Sequence, residues 1–341
     1  MNVRDKQRHR DRAEAMYAHR RSFERARQEL RRIHEGGGQN RASYEVRRDL
    51  IRARTPGPED VVVASAAAAL ASLKGWALQL YLIALFEAQA RRQPGSGVDN
   101  TRPLLHRTEQ LAAWVDLLPA ATRTGQRSAG MRRQLVRALA VLERENLVVL
   151  GNPDFRGRYN YFRLLQEAAM PSQGLDAIYT IPRAGETGGI DPAWIRPPGP
   201  VSGRSAVVTV PATFFVNGWV HVLSAAEITT YLMLCDLEAR YPTAAGEGVY
   251  ANDPQRRRWY GIHRDVYATH RQLAAYGLVE RLDAPARRPD GTIMKRPRQQ
   301  PLQPYWFRTR PGGFEQASFP RVTSCLDLPT DVHQPTAGEH G

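Results

Sequence analysis

The chain has 341 residues, a formal net charge of +14 and two cysteines, Cys235 and Cys325. That length holds two or three ordinary domains. Two cysteines are too few for a disulfide framework, and the most apolar run, Trp76 to Phe86, is too short to cross a bilayer. Arginine dominates the basic set. It favours bidentate contacts to phosphate and guanine, and a surplus of this size attracts polyanions, nucleic acid above all. A GC-rich coding sequence produces the same arginine bias.

Residues 1–60 are dense in charge. From Met1 to Arg54 there are 16 Lys and Arg against 8 Asp and Glu, so the segment carries +8. Its opening, MNVRDKQRHRDR, has no apolar core like that of a signal peptide, and a soluble, cytoplasmic, nucleoid-associated protein is expected. Arg4 to Glu35 consists of good helix formers with few large apolar residues. It is read as a solvated helix or as a segment disordered until it meets a partner.

An ordered pattern follows over residues 61–170. Ser72 to Ala90 is expected to be an amphipathic helix with Leu73, Trp76, Leu80, Ile83 and Ala84 on one side. Thr108 to Leu118 is expected as a second helix and Met131 to Asn146 as a third. LVVL, the turn GNPDFRGR and YNYFRLL then read as strand, loop, strand. Residues 171–206 are rich in Pro and Gly and read as a linker.

The same order recurs over residues 207–312. VVTVPATFF reads as a strand. Ser224 and Glu227 form a capping box that opens the helix AAEITTYLMLCDLEAR, within which Cys235 is a small core residue. Asp253-Pro254 reads as an N-cap followed by a first-turn proline, starting a short helix through Trp259. His263 to Tyr276 is the third helix, GLVERL and PYWFRTR are the paired strands, and RRPDGTIMKRPRQQ is the loop between them. Residues 313–341 read as a disordered tail. The fold class is mainly α with small β-hairpin wings (α+β).

On helical spacing of about 100° per residue, Met131, Leu135, Ala138, Leu139 and Leu142 form one inward stripe, while Arg133, Arg137 and Arg144 point the opposite way. In the later helix Val266, Thr269, His270, Leu273 and Tyr276 face inward, and Arg264, Tyr267, Ala268, Arg271, Gln272 and Ala275 lie on the other half. Arg and Gln can read guanine and adenine edges. His263 starts that helix, where residues reach bases. Arg256, Arg257 and Arg258 on the preceding short helix suit phosphate. The first loop offers Arg156 and Arg158; the second offers Arg287, Arg288, Lys295, Arg296 and Arg298. His270 reads as a packed histidine.

Helix, short helix, helix, strand, loop, strand, occurring twice, resembles two winged helix-turn-helix domains in tandem, covering about residues 66–166 and 207–312. In that family the third helix enters the major groove and the wing lies along neighbouring backbone. Two such modules in one chain resemble the initiators of iteron-type plasmids, in which one winged domain also contributes dimerisation and the other reads the repeated origin. The Arg- and Ala-rich composition is of actinobacterial type. The basic extension and the Pro-rich linker depart from that family. The resemblance implies double-stranded DNA as partner, with a homodimer and host replication or transcription proteins as further partners. Transcriptional regulation and a partition or partner-binding role are the alternatives.

Enzyme signatures are missing from the sequence. It contains no GxxxxGK[ST] or GxGxxG phosphate loop, no His-x-His pair, no zinc spacing of Cys and His, and a His-x-x-Arg spacing only at His9 to Arg12. A non-enzymatic protein without cofactor, metal or membrane contact is expected.

Overall fold

The computed structural model describes residues 3–53, 64–73, 75–98, 100, 102–108, 111–119, 127–151, 157–167, 178–183, 206–241, 248–282 and 305–327, with side chains of 3–5 and 127–129 excepted. The described residues are mainly helical, with three two-stranded antiparallel sheets. In chain order they form α1 (Val3–Ala18), α2 (Arg20–Gly36), β1 (Ser43–Arg47), α3 (Arg48–Ile51), α4 (Ala66–Ala71), α5 (Ala77–Arg91), α6 (Arg127–Arg144), β2 (Val148–Leu150) and β3 (Phe162–Leu164). Then come β4 (Val207–Pro211), α7 (Ala212–Val216), α8 (Trp219–Val222), α9 (Ala225–Arg240), α10 (Asp253–Gln255), α11 (Arg264–Tyr267), α12 (His270–Ala275), β5 (Val279–Leu282), β6 (Trp306–Thr309) and α13 (Ser318–Asp327).

Several elements differ from their expected form. Ala77 to Ala90 of α5 is buried on every face, so this helix is central rather than amphipathic. Leu73, placed on its inward side by periodicity, lies before the helix starts and is exposed. The second helix of the first half contracts to a 3-10 turn over Trp114–Leu117. Its lead-in is held instead by buried Arg102, whose guanidinium meets Glu87 of α5 at 2.9 Å and donates to the Ala112 carbonyl. Ser224 and Glu227 do form the reciprocal capping box. The next cap is Asn252, one residue before the expected Asp253, and Arg256–Tyr260 winds as a π-turn closed by left-handed Gly261. VVTVPATFF divides at Pro211 into β4 and α7. The third helix of the second half divides at Ala268–Thr269, where the Thr269 hydroxyl donates to the Val266 carbonyl at 2.6 Å and competes with the helical ladder.

The two third helices end alike. Leu147 N donates to Leu142 O at 2.9 Å and Asn146 N to Glu143 O at 3.0 Å; Leu278 N donates to Leu273 O at 2.9 Å and Gly277 N to Ala274 O at 3.0 Å. Asn146 and Gly277 both take positive φ, 55° and 79°. This is one Schellman-type stop used twice, and it turns each helix into its strand pair. β2 pairs with β3 and β5 with β6, both antiparallel.

β1 and β4 join the halves. They pair antiparallel with Glu45 opposite Thr209 at the centre. Each strand runs straight into a short helix, with cap angles of −65°, 143° at Arg47 and −64°, 147° at Pro211. Arg48 N donates to Ala206 O, and Ala212 N to Ala42 O, both at 2.9 Å. The sheet therefore has a local two-fold character. Gln89 of α5 closes the free edge of β1, accepting from Glu45 N at 2.9 Å and donating to Glu45 O at 2.7 Å.

The charged N-terminal segment is helical and packs, in place of a solvated or disordered extension. One apolar cluster runs from Ala13 through Leu30, Leu50 and α5 to Val322 and Leu326. Tyr44, Phe86 and Phe215 stack within it at centroid separations of 4.6 and 4.5 Å. Burying side chains of this size stabilises by about 1.5–3 kcal/mol each. Four of the segment's arginines turn toward other parts of the chain. Arg12 grips Glu227, Arg47 meets Glu167 at 3.2 Å, Arg48 meets Asp236 at 2.8 Å, and Arg52 lies 3.8 Å above Trp259.

Of the expected tail, residues 313–327 pack against the fold in place of a disordered segment, and residues 328–341 lie outside the described residues. Phe314 and Val322 are wholly buried, Trp219 Nε1 donates to Phe314 O at 3.1 Å, and Arg321 caps α12 by donating to the Ala275 and Tyr276 carbonyls. Tail composition misleads here because a few apolar residues, spaced to one side, suffice to dock a helix.

Candidate nucleic-acid interface

The second half presents α11 and α12 on a buried base. His270 and Leu273 are buried, as is Tyr276 just beyond the helix, while Val266 and Thr269 are partly buried. His270 packs 4.9 Å from Phe307 and 5.1 Å from Tyr267. Burial first, and then the charges of Arg271, Arg281 and Arg256, push its imidazole down to about 3. It stays neutral at physiological pH, in keeping with a packing role. On the opposite face His263, Arg264 and Arg271 are exposed.

Not every residue assigned to that face is available. Tyr267 lies under the guanidinium of Arg256 at 4.0 Å. Gln272 sits 3.4 Å from His9 of α1. Arg256 is 5% exposed and bonds Asp253, so its expected contact with phosphate is replaced by a structural pair. The tightened π-turn brings Arg256 inward while Arg257 stays exposed and Arg258 half-buried.

The first half places α6 similarly. Met131, Leu135, Ala138, Leu139 and Leu142 are buried, and Arg132, Arg133, Arg137 and Arg144 are exposed. Arg144 pairs with Glu145 at 3.1 Å and Arg158 with Glu143. Both pairs are part-exposed and therefore weak, about 0–1 kcal/mol each. Among the described residues no ion pair engages Arg133, Arg137, Arg264 or Arg271.

The strand pairs carry the loops. Gly151 N donates to Arg158 O at 3.1 Å, drawing the ends of the first loop together. Arg156 lies outside the described residues, as do Arg287, Arg288, Lys295, Arg296 and Arg298. In the second half Val249 bridges Phe307 of β6, so the segment between α9 and α10 adds a third extended piece beside the hairpin. In the first half Ile178 bridges Leu165 and Thr180 bridges Gly97.

Sequence reasoning offered a solvated helix here and missed that α1 packs against the second half. His9 borders Gln272, and Arg12 reaches both oxygens of Glu227 and the Val222 carbonyl, with distances of 2.6 to 2.8 Å. Burial alone raises Glu227, but the charge and hydrogen bonds of Arg12, with those of Ser224, outweigh it and hold the carboxyl below the ordinary range. The available signal was the spacing of Ala13 and Met16, then of Ala26, Leu30 and Ile33, which is a narrow apolar stripe on an otherwise charged pair of helices.

Among the described residues no His, Cys, Asp and Glu are grouped to hold a metal ion, and no helix is long and apolar enough to cross a membrane. Comparison with protein-family models, curated proteins and solved structures finds no match to this chain.

Proposed function

We propose that this chain is a non-enzymatic, sequence-specific binder of double-stranded DNA. It uses two winged helix-turn-helix units in tandem and initiates replication of a plasmid or mobile element. The observation that carries the reading is the repeated unit itself. Each half has a helix with a buried stripe and exposed arginines, ended by the same left-handed stop and followed by an antiparallel strand pair. The bridge from Val249 to Phe307 adds the third extended piece that a winged unit uses beside its hairpin. The net charge of +14 supplies attraction to phosphate.

In this reading Arg264 and Arg271 in the second half, and Arg133 and Arg137 in the first, reach base edges or nearby phosphate. Arg257 and the basic loop residues hold the backbone. The replication role rests on the resemblance to initiators that carry two such units on one chain, and it is tested by where the chain binds. Genomic fragments retained by the full-length protein are sequenced and mapped. Enrichment at directly repeated sites in an origin is the expected result. Enrichment at a single inverted repeat in a promoter would replace initiation with transcriptional control, and scattered loci would remove both.

A further inference from the structure

α1 and α12 lie side by side and point the same way. His9 meets Gln272 at 3.4 Å, and one turn on the Arg12 guanidinium lies 6.0 Å from the Tyr276 ring. α1 is fixed in this position. Arg12 bonds both oxygens of Glu227 and the Val222 carbonyl, and Ala13 and Met16 are buried. Extended back by one turn, the same register carries Lys6 alongside the break at Ala268–Thr269, between Arg264 and Arg271.

Helix geometry sets which side chains of α1 face the open surface. Each residue turns a helix by about 100°, so exposed Arg271 points about 100° away from Gln272 and hence from α1. Parallel right-handed helices turn in the same sense, and α1 meets α12 half a turn round. The side of α1 that faces the same way as Arg271 therefore lies about 80° beyond His9. Lys6 and Arg10 fall at about 60° and 100° on that scale. Glu14 falls at about 140°, Asp11 at about 200° and Arg8 at about 260°, turned progressively away. Lys6 and Arg10 are exposed, and among the described residues neither forms an ion pair.

The major groove is about 12 Å wide and admits one helix. Packed helices stand about 8–10 Å apart. With α12 in the groove, α1 is carried over the groove wall, where phosphates lie and base edges do not.

We infer that α1 is a phosphate clamp of the second half: Lys6 and Arg10 contact the DNA backbone that flanks the groove entered by α12. The inference rests on the reading of α11 and α12 as a DNA-binding surface. The clamp positions the protein and carries no sequence information. Because Arg12 and the buried stripe hold α1 in the free protein, contact with DNA has only the two side chains left to order.

The test measures binding of the full-length chain to a random-sequence duplex by fluorescence anisotropy over a series of salt concentrations. Lys6→Gln and Arg10→Gln are each expected to flatten the slope of log K against log salt by up to about 0.9, one phosphate apiece. The double variant should combine both losses. Its melting temperature should not change, since both side chains are exposed. Arg8→Gln removes the same charge from the far side of α1 and is expected to leave the slope as it is. An unchanged slope in the double variant, with wild type binding, overturns the clamp and spares the DNA reading. An equal change in Arg8→Gln would reduce the effect to overall charge and overturn the clamp too. Wild type that does not bind the duplex removes the DNA reading and the clamp together.

Discussion

The two halves stop their third helices with the same hydrogen bonds, yet treat their arginines differently. α6 runs unbroken, and near its end Glu143 and Glu145 tie down Arg158 and Arg144. α11 and α12 are broken at Thr269, and their exposed Arg264 and Arg271 have no ion-pair partner among the described residues. The second half instead places its pairs on the preceding turn and the hairpin, with Arg256 on Asp253 and over Tyr267, and Arg308 and Arg310 on Glu280. The difference teaches that basic residues in one motif divide by job. Some fix the turn or the hairpin, and others remain open to a partner. Net charge counts both kinds and separates neither.

The halves are compared only because β1, β4 and the N-terminal helices hold them together, and breaking that frame should have the largest effect. Deletion of residues 1–54 removes β1, Leu30, Tyr44 and Leu50 from the core. It is expected to abolish cooperative thermal unfolding followed by circular dichroism; a remainder that still melts sharply would mean that the second half folds alone.

Glu227→Ala comes next. It strands the Arg12 guanidinium against the cap of α9 and should cost about 3–5 kcal/mol, read from the urea midpoint. The sign with pH is fixed by the lowered carboxyl. The contribution of Glu227 is complete above the ordinary carboxylate range and is lost as pH falls through its lower folded value. Wild type should therefore weaken toward acid more steeply than Glu227→Gln. Parallel pH profiles would show that the pair contributes nothing to acid stability.

Smaller effects sharpen the contrast between open and committed arginines. Arg256→Ala should lower the melting temperature and leave the salt dependence of DNA binding unchanged, because Arg256 is buried. Arg257→Ala should do the reverse, flattening the salt slope by up to about 0.9 for the single phosphate it no longer neutralises. Glu143→Gln releases Arg158 and should steepen the slope by a similar amount of about 0.9 at most. Arg257 is exposed and only 3.9 Å from likewise exposed Asp253, a pair worth about 0–1 kcal/mol. If Arg256→Ala and Arg257→Ala nonetheless behave alike, the distinction between buried and exposed arginines fails.

Strongly patterned parts of this fold were legible in the sequence. The stripe from Met131 to Leu142, the Ser224–Glu227 box and the two strand pairs follow from local spacing and capping chemistry. Long-range pairing was not legible. Nothing local in SYEVR announces that it meets VVTVP, since strand partners are set by burial across more than 160 residues of chain. The N-terminal helices were misjudged for a related reason. Their mean polarity describes the solvent side, while Ala13, Met16, Leu30 and Ile33 decide the fold. At the candidate interface, facing directions were legible for Arg133, Arg137, Arg264 and Arg271. Those of Arg256, Tyr267 and Gln272 were not, because a π-turn and the neighbouring α1 redirect them.

The central claim is that the open faces of both third helices read duplex DNA. It is tested most directly by fluorescence anisotropy on a selected genomic duplex and on a random one, comparing wild type with Arg264→Ala/Arg271→Ala and Arg133→Ala/Arg137→Ala. Each double variant, still folded, is expected to bind the selected duplex more weakly by about 1–3 kcal/mol for every base it no longer reads, and the random duplex by much less. Equal weakening on both duplexes would reduce these residues to phosphate contacts. Wild type that fails to bind duplex DNA at moderate salt would contradict the account.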